Sequence, residues 1–120
     1  MAEVNGGLCT RILLVASSDS EEAENTLTGL ADAALSRGHE VTLFFSDRSV
    51  RLLVPRDDEK DYTGFLSRGT RLLVCRTSVV ASGVPSSGGF IEGVEMSSLG
   101  ELVDLMDDHD RMIFVGGDDQ

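Results

Sequence analysis

Apolar residues in this chain come mostly in short blocks rather than in strict alternation. Arg11-Ile-Leu-Leu-Val-Ala16, Val41-Thr-Leu-Phe-Phe45, Arg71-Leu-Leu-Val74 and Met112-Ile-Phe-Val115 are each bounded by turn-formers. Runs of that kind predict strands covered on both faces. Gly93 to Met96 predicts a weaker strand between the third and the last. Elsewhere the spacing is helical. Ser17-Ser-Asp-Ser20 supplies N-cap candidates, and Asp19 with Glu22 makes a variant capping box. Ala23, Leu27, Leu30, Ala31, Ala34 and Leu35 then share one face, and Gly38 stands where a left-handed residue ends a helix. Asp47 to Val54 predicts a short helical turn with Val50, Leu53 and Val54 inward, stopped by Pro55. A charged loop, Arg56 to Lys60, precedes a short helix over Asp61 to Arg68 with Tyr62, Phe65 and Leu66 on one side. Ser98 and Glu101 form a capping box for the last helix, whose apolar face is Leu99, Leu102, Val103, Leu105 and Met106.

Strands alternating with helices predict an α/β fold: a three-layer α/β/α sandwich around a five-stranded parallel sheet, flavodoxin-like in outline, with right-handed crossovers. A chain of 120 residues suits one domain, placed at residues 11–116 between a leader, 1–10, and a tail, 117–120. Met1 to Gly7 has neither a basic residue nor an apolar core, and two cysteines cannot build a disulfide framework, so a cytoplasmic location is expected. The apolar runs fall far short of the roughly 20 residues that span a bilayer. A formal charge of −11, from 21 acidic and 10 basic residues, argues against nucleic acid and anionic membranes as partners. Lys60 is the only lysine, a composition that suits a high-salt cytoplasm as well as plain acidic solubility.

In open parallel sheets the ligand site lies at the carboxyl ends of the strands. That edge collects Ser17, Ser18 and Asp19 after the first strand and Ser46 and Asp47 after the second. After the third it has Cys75 with Arg76, Thr77 and Ser78. A cysteine where a strand meets a helix is placed to ionise, because amide dipoles and nearby cations favour a thiolate. Backbone N–H groups from Arg76 to Ser78 would hold a charged sulfur there, with Arg76, Thr77 and Ser78 as side-chain candidates. The plainer alternative makes Cys75 a small buried hydrophobe. Val84-Pro-Ser-Ser-Gly-Gly89 reads as a loop able to cover it. Cys9 precedes the first strand and falls at the opposite sheet edge, about 15 Å away. A disulfide tolerates no more than about 7 Å between Cα atoms, so Cys9 is incidental.

Other chemistries find no support. A receiver domain needs an aspartate where Cys75 stands and a lysine where Gly116 stands. A flavin phosphate would meet acids in Ser17-Ser-Asp-Ser-Glu-Glu22, and neither a G-x-G-x-x-G nor a P-loop lysine is present. No cofactor is expected. His39 reads as a surface residue in a turn and His109 as a helix C-terminal cap. Neither has a second ligand at metal spacing, so no metal site is expected. Without a histidine base, Cys75 suits redox or sulfur chemistry better than hydrolysis.

The ordered set Arg11-Ile-Leu-Leu-Val15, the acidic loop before the first helix, Ala33-Ala-Leu-Ser-Arg-Gly-His-Glu-Val-Thr-Leu-Phe-Phe45, Cys75 with Gly83, and Gly93-Val-Glu-Met96 resembles the DsrE-like sulfur-relay family, which includes DsrE and TusD proteins. The resemblance covers roughly residues 11–115. It implies that Cys75 accepts sulfur as a persulfide and passes it to a partner protein. It also implies donor and acceptor proteins as partners, and a homo-oligomer (trimer or hexamer) or a hetero-oligomer with sister subunits. The function expected is that of a small sulfur carrier or sulfurtransferase. A non-catalytic oligomeric binding or regulatory module with a structural cysteine, and a thiol redox sensor, stand as alternatives.

Overall fold

The computed structural model describes residues 10–55, 62–85 and 88–116. Strand β1 (Arg11–Ala16) leads into α1 (Glu21–Ser36), β2 (Glu40–Phe45) and a 3-10 helix (Asp47–Leu53). Helix α2 (Tyr62–Ser67), β3 (Arg71–Cys75) and α3 (Arg76–Ser82) follow, then β4 (Val94–Ser97), α4 (Leu99–Asp108) and β5 (Arg111–Val115). The strands form one five-stranded sheet in the order β4-β3-β2-β1-β5, and every pairing is parallel. The α/β fold is thus the expected one. The leader with Cys9, the loop over residues 56–61 and the tail lie outside the described residues, as do Ser86 and Ser87 of the Val84–Gly89 loop. No helix among the described residues is long and apolar enough to cross a membrane.

Local chemistry sets the element ends. Ser20, not Asp19, caps α1: its hydroxyl accepts the Ala23 N–H at 3.1 Å, and Glu21, Glu22 and Glu24 complement the dipole. The expected cap is therefore one residue off, because in a row of serines and an aspartate each is a competent acceptor. Helix α3 stops at Gly83, whose φ of 80° is open to a residue without Cβ. Ser98 caps α4 by accepting the Glu101 N–H at 3.1 Å.

Because successive strand side chains point to opposite faces, the sheet has two separate apolar layers. On one face Leu14, Val41, Leu43, Phe45, Leu72 and Val74 pack against Leu27 and Ala31 of α1, Val50 and Leu53 of the 3-10 helix, Tyr62 and Phe65 of α2, and Val79 of α3. Tyr62 meets Phe45 edge-on at 5.9 Å between centroids, and its hydroxyl donates to the buried Glu24 carboxylate at 2.8 Å. On the other face Leu13, Val15, Phe44, Leu73 and Cys75 meet a single helix, α4, through Leu105 and the half-buried Leu102.

That second layer departs from the expected apolar face of the last helix. Only Leu105 is buried along α4, whereas Leu99 (59 % exposed), Val103 (62 %) and Met106 face solvent. At about 100° per residue, Leu102 and Glu101 fall on opposite sides of Leu105, and Leu99, Val103 and Met106 lie beyond Leu102. Glu101 reaches β4, so the exposed stripe turns toward β1 and β5, where Phe114 is 68 % exposed. At its carboxyl end α4 is tied down by His109, whose Nδ1 meets the Leu105 carbonyl at 2.7 Å and whose Nε2 meets Thr42 Oγ1 at 2.9 Å. The carbonyl only accepts, so Nδ1 carries a proton, and in the neutral ring Nε2 accepts from Thr42. His109 is a C-cap as expected, and it also pins the helix to β2. Arg11 secures the next turn, bonding Asp108 at 2.9 Å, and that bond is the main reason its guanidinium is held above the ordinary range.

Candidate functional site

Cys75 is the last residue of β3 and the N-cap of α3, at the carboxyl edge of the sheet. Strand parity decides where its sulfur goes. Arg71, Leu73 and Cys75 share a face, so the thiol lies in the layer under α4, 2 % exposed, among Leu13, Val15, Phe44, Leu73 and Leu105. Val79 of α3 packs on the opposite face, and the Cys75 side chain makes no capping bond to α3. One expectation is corrected here. The sulfur, closed off from solvent, is not cradled by the amides of Arg76 to Ser78, because the parity that ends the strand carries it to the far side of the sheet from the body of α3.

The remaining candidates separate accordingly. Arg76 and Thr77 are exposed. Ser78 accepts the Asp47 N–H at 2.7 Å and so ties α3 to the 3-10 helix. Thr77 and Ser78 line a cleft of about 240 Å³ with Asp47, Arg48, Arg51, Ala81 and Ser82. Ser46 donates to the Ala16 carbonyl at 3.1 Å, and Ser49, buried, donates to the same oxygen at 2.8 Å. Ser18 accepts the Ser20 N–H at 3.1 Å, which shapes the entry to α1. Ser17 sits beside Gly116, with its N–H donating to the Val115 carbonyl at 3.1 Å. The serines do gather at the carboxyl edge, but those of the first two turns serve their own backbone and none is brought onto the Cys75 sulfur. His39 is half-buried and accepts the Thr10 N–H at 3.1 Å, a tie at the opposite edge.

The neighbour that the structure does supply is Ser97. It pairs in register with Cys75, and in-register residues of adjacent strands share a face about 4.8 Å apart. Ser97 is buried and donates to Glu101 Oε1 at 2.5 Å. Farther along the same two strands Arg71 bonds Glu95 at 2.9 Å. Sequence reasoning missed Ser97 and Glu101 because β3–β4 register is not a local property. The available signals were a polar residue ending a strand and a glutamate placed for a capping box. Glu101 does not complete that box, since its carboxylate is engaged with Ser97. The larger clefts, of about 440 and 420 Å³, lie against α1, and neither is lined by Cys75.

The profile of the DsrE/DsrF-like family matches residues 10–115. The chain belongs to that family. No curated protein matches it. Among solved structures, this DsrE/DsrF-like chain is similar to MTH1491 of Methanobacterium thermoautotrophicum, a protein of unknown function, with a TM-score of 0.70 and 19 % identity over 90 % of this chain and 99 % of the other. The ychN protein of E. coli gives a TM-score of 0.68 and 20 % identity over 89 % of this chain and 99 % of its own. BT1422 of Bacteroides thetaiotaomicron, also of unknown function, gives 0.66 and 16 % over 88 % and 95 %. At these identities the likeness establishes the fold, while family membership points to a sulfur-relay-related function.

Proposed function

We propose that the protein is a cytoplasmic sulfur carrier that holds sulfane sulfur as a persulfide on Cys75 and passes it to the thiol of a partner protein. The observation that carries this reading is the position of Cys75 at the end of β3, on the carboxyl edge of a parallel sheet in a DsrE/DsrF-like chain. Access requires α4 to lift. Its seat is shallow, one buried leucine and the half-buried Leu102, tied through Glu101 at one end and through Asp108 and His109 at the other, and burying a leucine is worth about 1.5–3 kcal/mol. The exposed stripe of Leu99, Val103 and Met106, with Phe114 across from it, is assigned to another subunit of the same kind. A trimer or hexamer, or an assembly with sister subunits, would cover it. Incubation with a small persulfide donor is expected to add the mass of one sulfur atom at Cys75. Loading that persists in Cys75→Ser overturns the assignment.

A second reading, a binding module in which Cys75 is structural, is favoured by the 2 % exposure of that residue. It expects no native-state reaction with iodoacetamide or with a persulfide donor, and full reaction once the chain is unfolded in urea.

A further inference from the structure

The two edges of the sheet are finished differently. At one, β4 is four residues long and carries Glu95, ion-paired to Arg71 of β3. At the other, β5 runs Arg-Met-Ile-Phe-Val, with its one charge at the first position. Proline, lysine and charges within the strand are the usual guards against edge-to-edge pairing, and β5 has none of them. No described element pairs with its outer side. The Val115 carbonyl accepts the Ser17 N–H on the β1 side. Backbone groups alternate sides along a strand, so those of Met112 and Phe114 point outward. Register with β1 puts Met112 and Phe114 on the α4 face, and Arg111, Ile113 and Val115 on the α1 face. Apolar surface is exposed on both: Phe114 on the first, Ile113 with Leu30 of α1 on the second. Leu30 and Ile113 line the cleft of about 420 Å³, and Glu22 lines it too. Neither Glu22 nor Arg111 forms an ion pair among the described residues.

We propose that β5 is a contact between two copies of this chain, which add their β5 strands antiparallel about a two-fold axis at Ile113 and join two five-stranded sheets into one. This is the register in which every residue of β5 finds a partner. Met112 of one copy meets Phe114 of the other through both outward backbone groups, and their side chains pack together on the α4 face. Ile113 meets its own counterpart on the α1 face. Arg111 lies opposite Val115, at the cleft that Glu22 lines in the other copy. Two equivalent Arg111–Glu22 pairs then offset part of the repulsion between chains of charge −11. That complementarity identifies the occupant as a second copy, because one strand supplies the apolar centre and its surroundings supply both charges. The contact makes a dimer, or joins two trimers into a hexamer. It gives a geometry to the self-assembly assigned above and rests on that assignment, while sulfur transfer at Cys75 is independent of it.

The test is the assembly mass of the full chain by analytical ultracentrifugation over a dilution series. Phe114→Pro removes an outward N–H and leaves the β1–β5 bonds in place. It is expected to raise the dissociation constant of the two-fold contact about 10²-fold. Arg111→Glu sets two carboxylates against each other and is expected to weaken the contact about tenfold, with recovery when Glu22→Arg is added. Ile113→Cys is expected to cross-link two copies on mild oxidation. A directly opposed, non-hydrogen-bonded antiparallel pair holds its Cα atoms about 4.5 Å apart, within the span of a disulfide. An unchanged mass in both Phe114→Pro and Arg111→Glu, or an Ile113→Cys variant that does not cross-link, overturns the edge pairing and leaves the carrier reading intact. An unaltered protein that is monomeric throughout overturns the edge pairing together with the assembly assigned above. Sulfur loading at Cys75 is measured separately, and its failure overturns the carrier reading alone.

Discussion

The two faces of the sheet draw on the same strands and are finished to different degrees. Under α1 the layer is closed by four helical elements, and Phe45, Leu43 and Leu72 have no exposure. Under α4 one helix of ten residues covers the opposite layer and presents more apolar side chains to solvent than to the sheet. Parallel sheets are normally covered on both faces. The first face is therefore the more completely closed of the two, and the second keeps apolar side chains uncovered, the surface that the proposed assembly would bury. Cys75 lies on the second. A sulfur placed under the weaker cover can be exposed by moving one short helix without opening the principal core.

The strongest way to break this comparison is Phe45→Ala, which leaves a hole beside Tyr62 on the closed face and is expected to cost about 3–5 kcal/mol in urea denaturation. A loss below ~1 kcal/mol would mean that the α1 side is not the mechanical core. Leu105→Ala probes the other side. Its cost should be nearer ~2 kcal/mol, at the low end for a buried leucine, because a surface helix can settle into the gap. The same variant should speed native-state alkylation of Cys75, and an unchanged rate would show that α4 is not the cover. The smallest stability effect belongs to Val103→Glu with Met106→Glu, both on the exposed stripe. A change within ~0.5 kcal/mol is expected, together with a drop in assembly mass by light scattering. An assembly mass equal to that of the parent places the subunit contact elsewhere.

How far the site was legible follows from which of its features are local. The end of β3 at Cys75 and the helix that begins at Arg76 can be read from a run of apolar residues meeting polar ones. The face on which the sulfur emerges depends on parity relative to helices that pack from elsewhere in the chain, and here it emerged on the side away from Val79 of α3. Ser46 and Ser18 were correctly placed at the strand ends. Their hydroxyls are committed to the Ala16 carbonyl and the Ser20 amide, a use that a residue's type does not disclose. The last helix misled for a related reason. Its apolar arc is wider than one sheet contact, and periodicity does not say which half of such an arc is covered.

By itself the amino-acid order determined where strands and helices run and that the sheet is parallel. Strand-length apolar runs, helical spacing and glycine at the helix ends act within a few residues of themselves. The tertiary structure alone decided that β4 sets Ser97 beside Cys75, that Glu101 bonds Ser97 rather than its own helix cap, and that α4 closes over the sulfur with half of its apolar surface unused. Those outcomes depend on strand register and on how a helix seats on a sheet, and both are settled by contacts between residues distant in the chain.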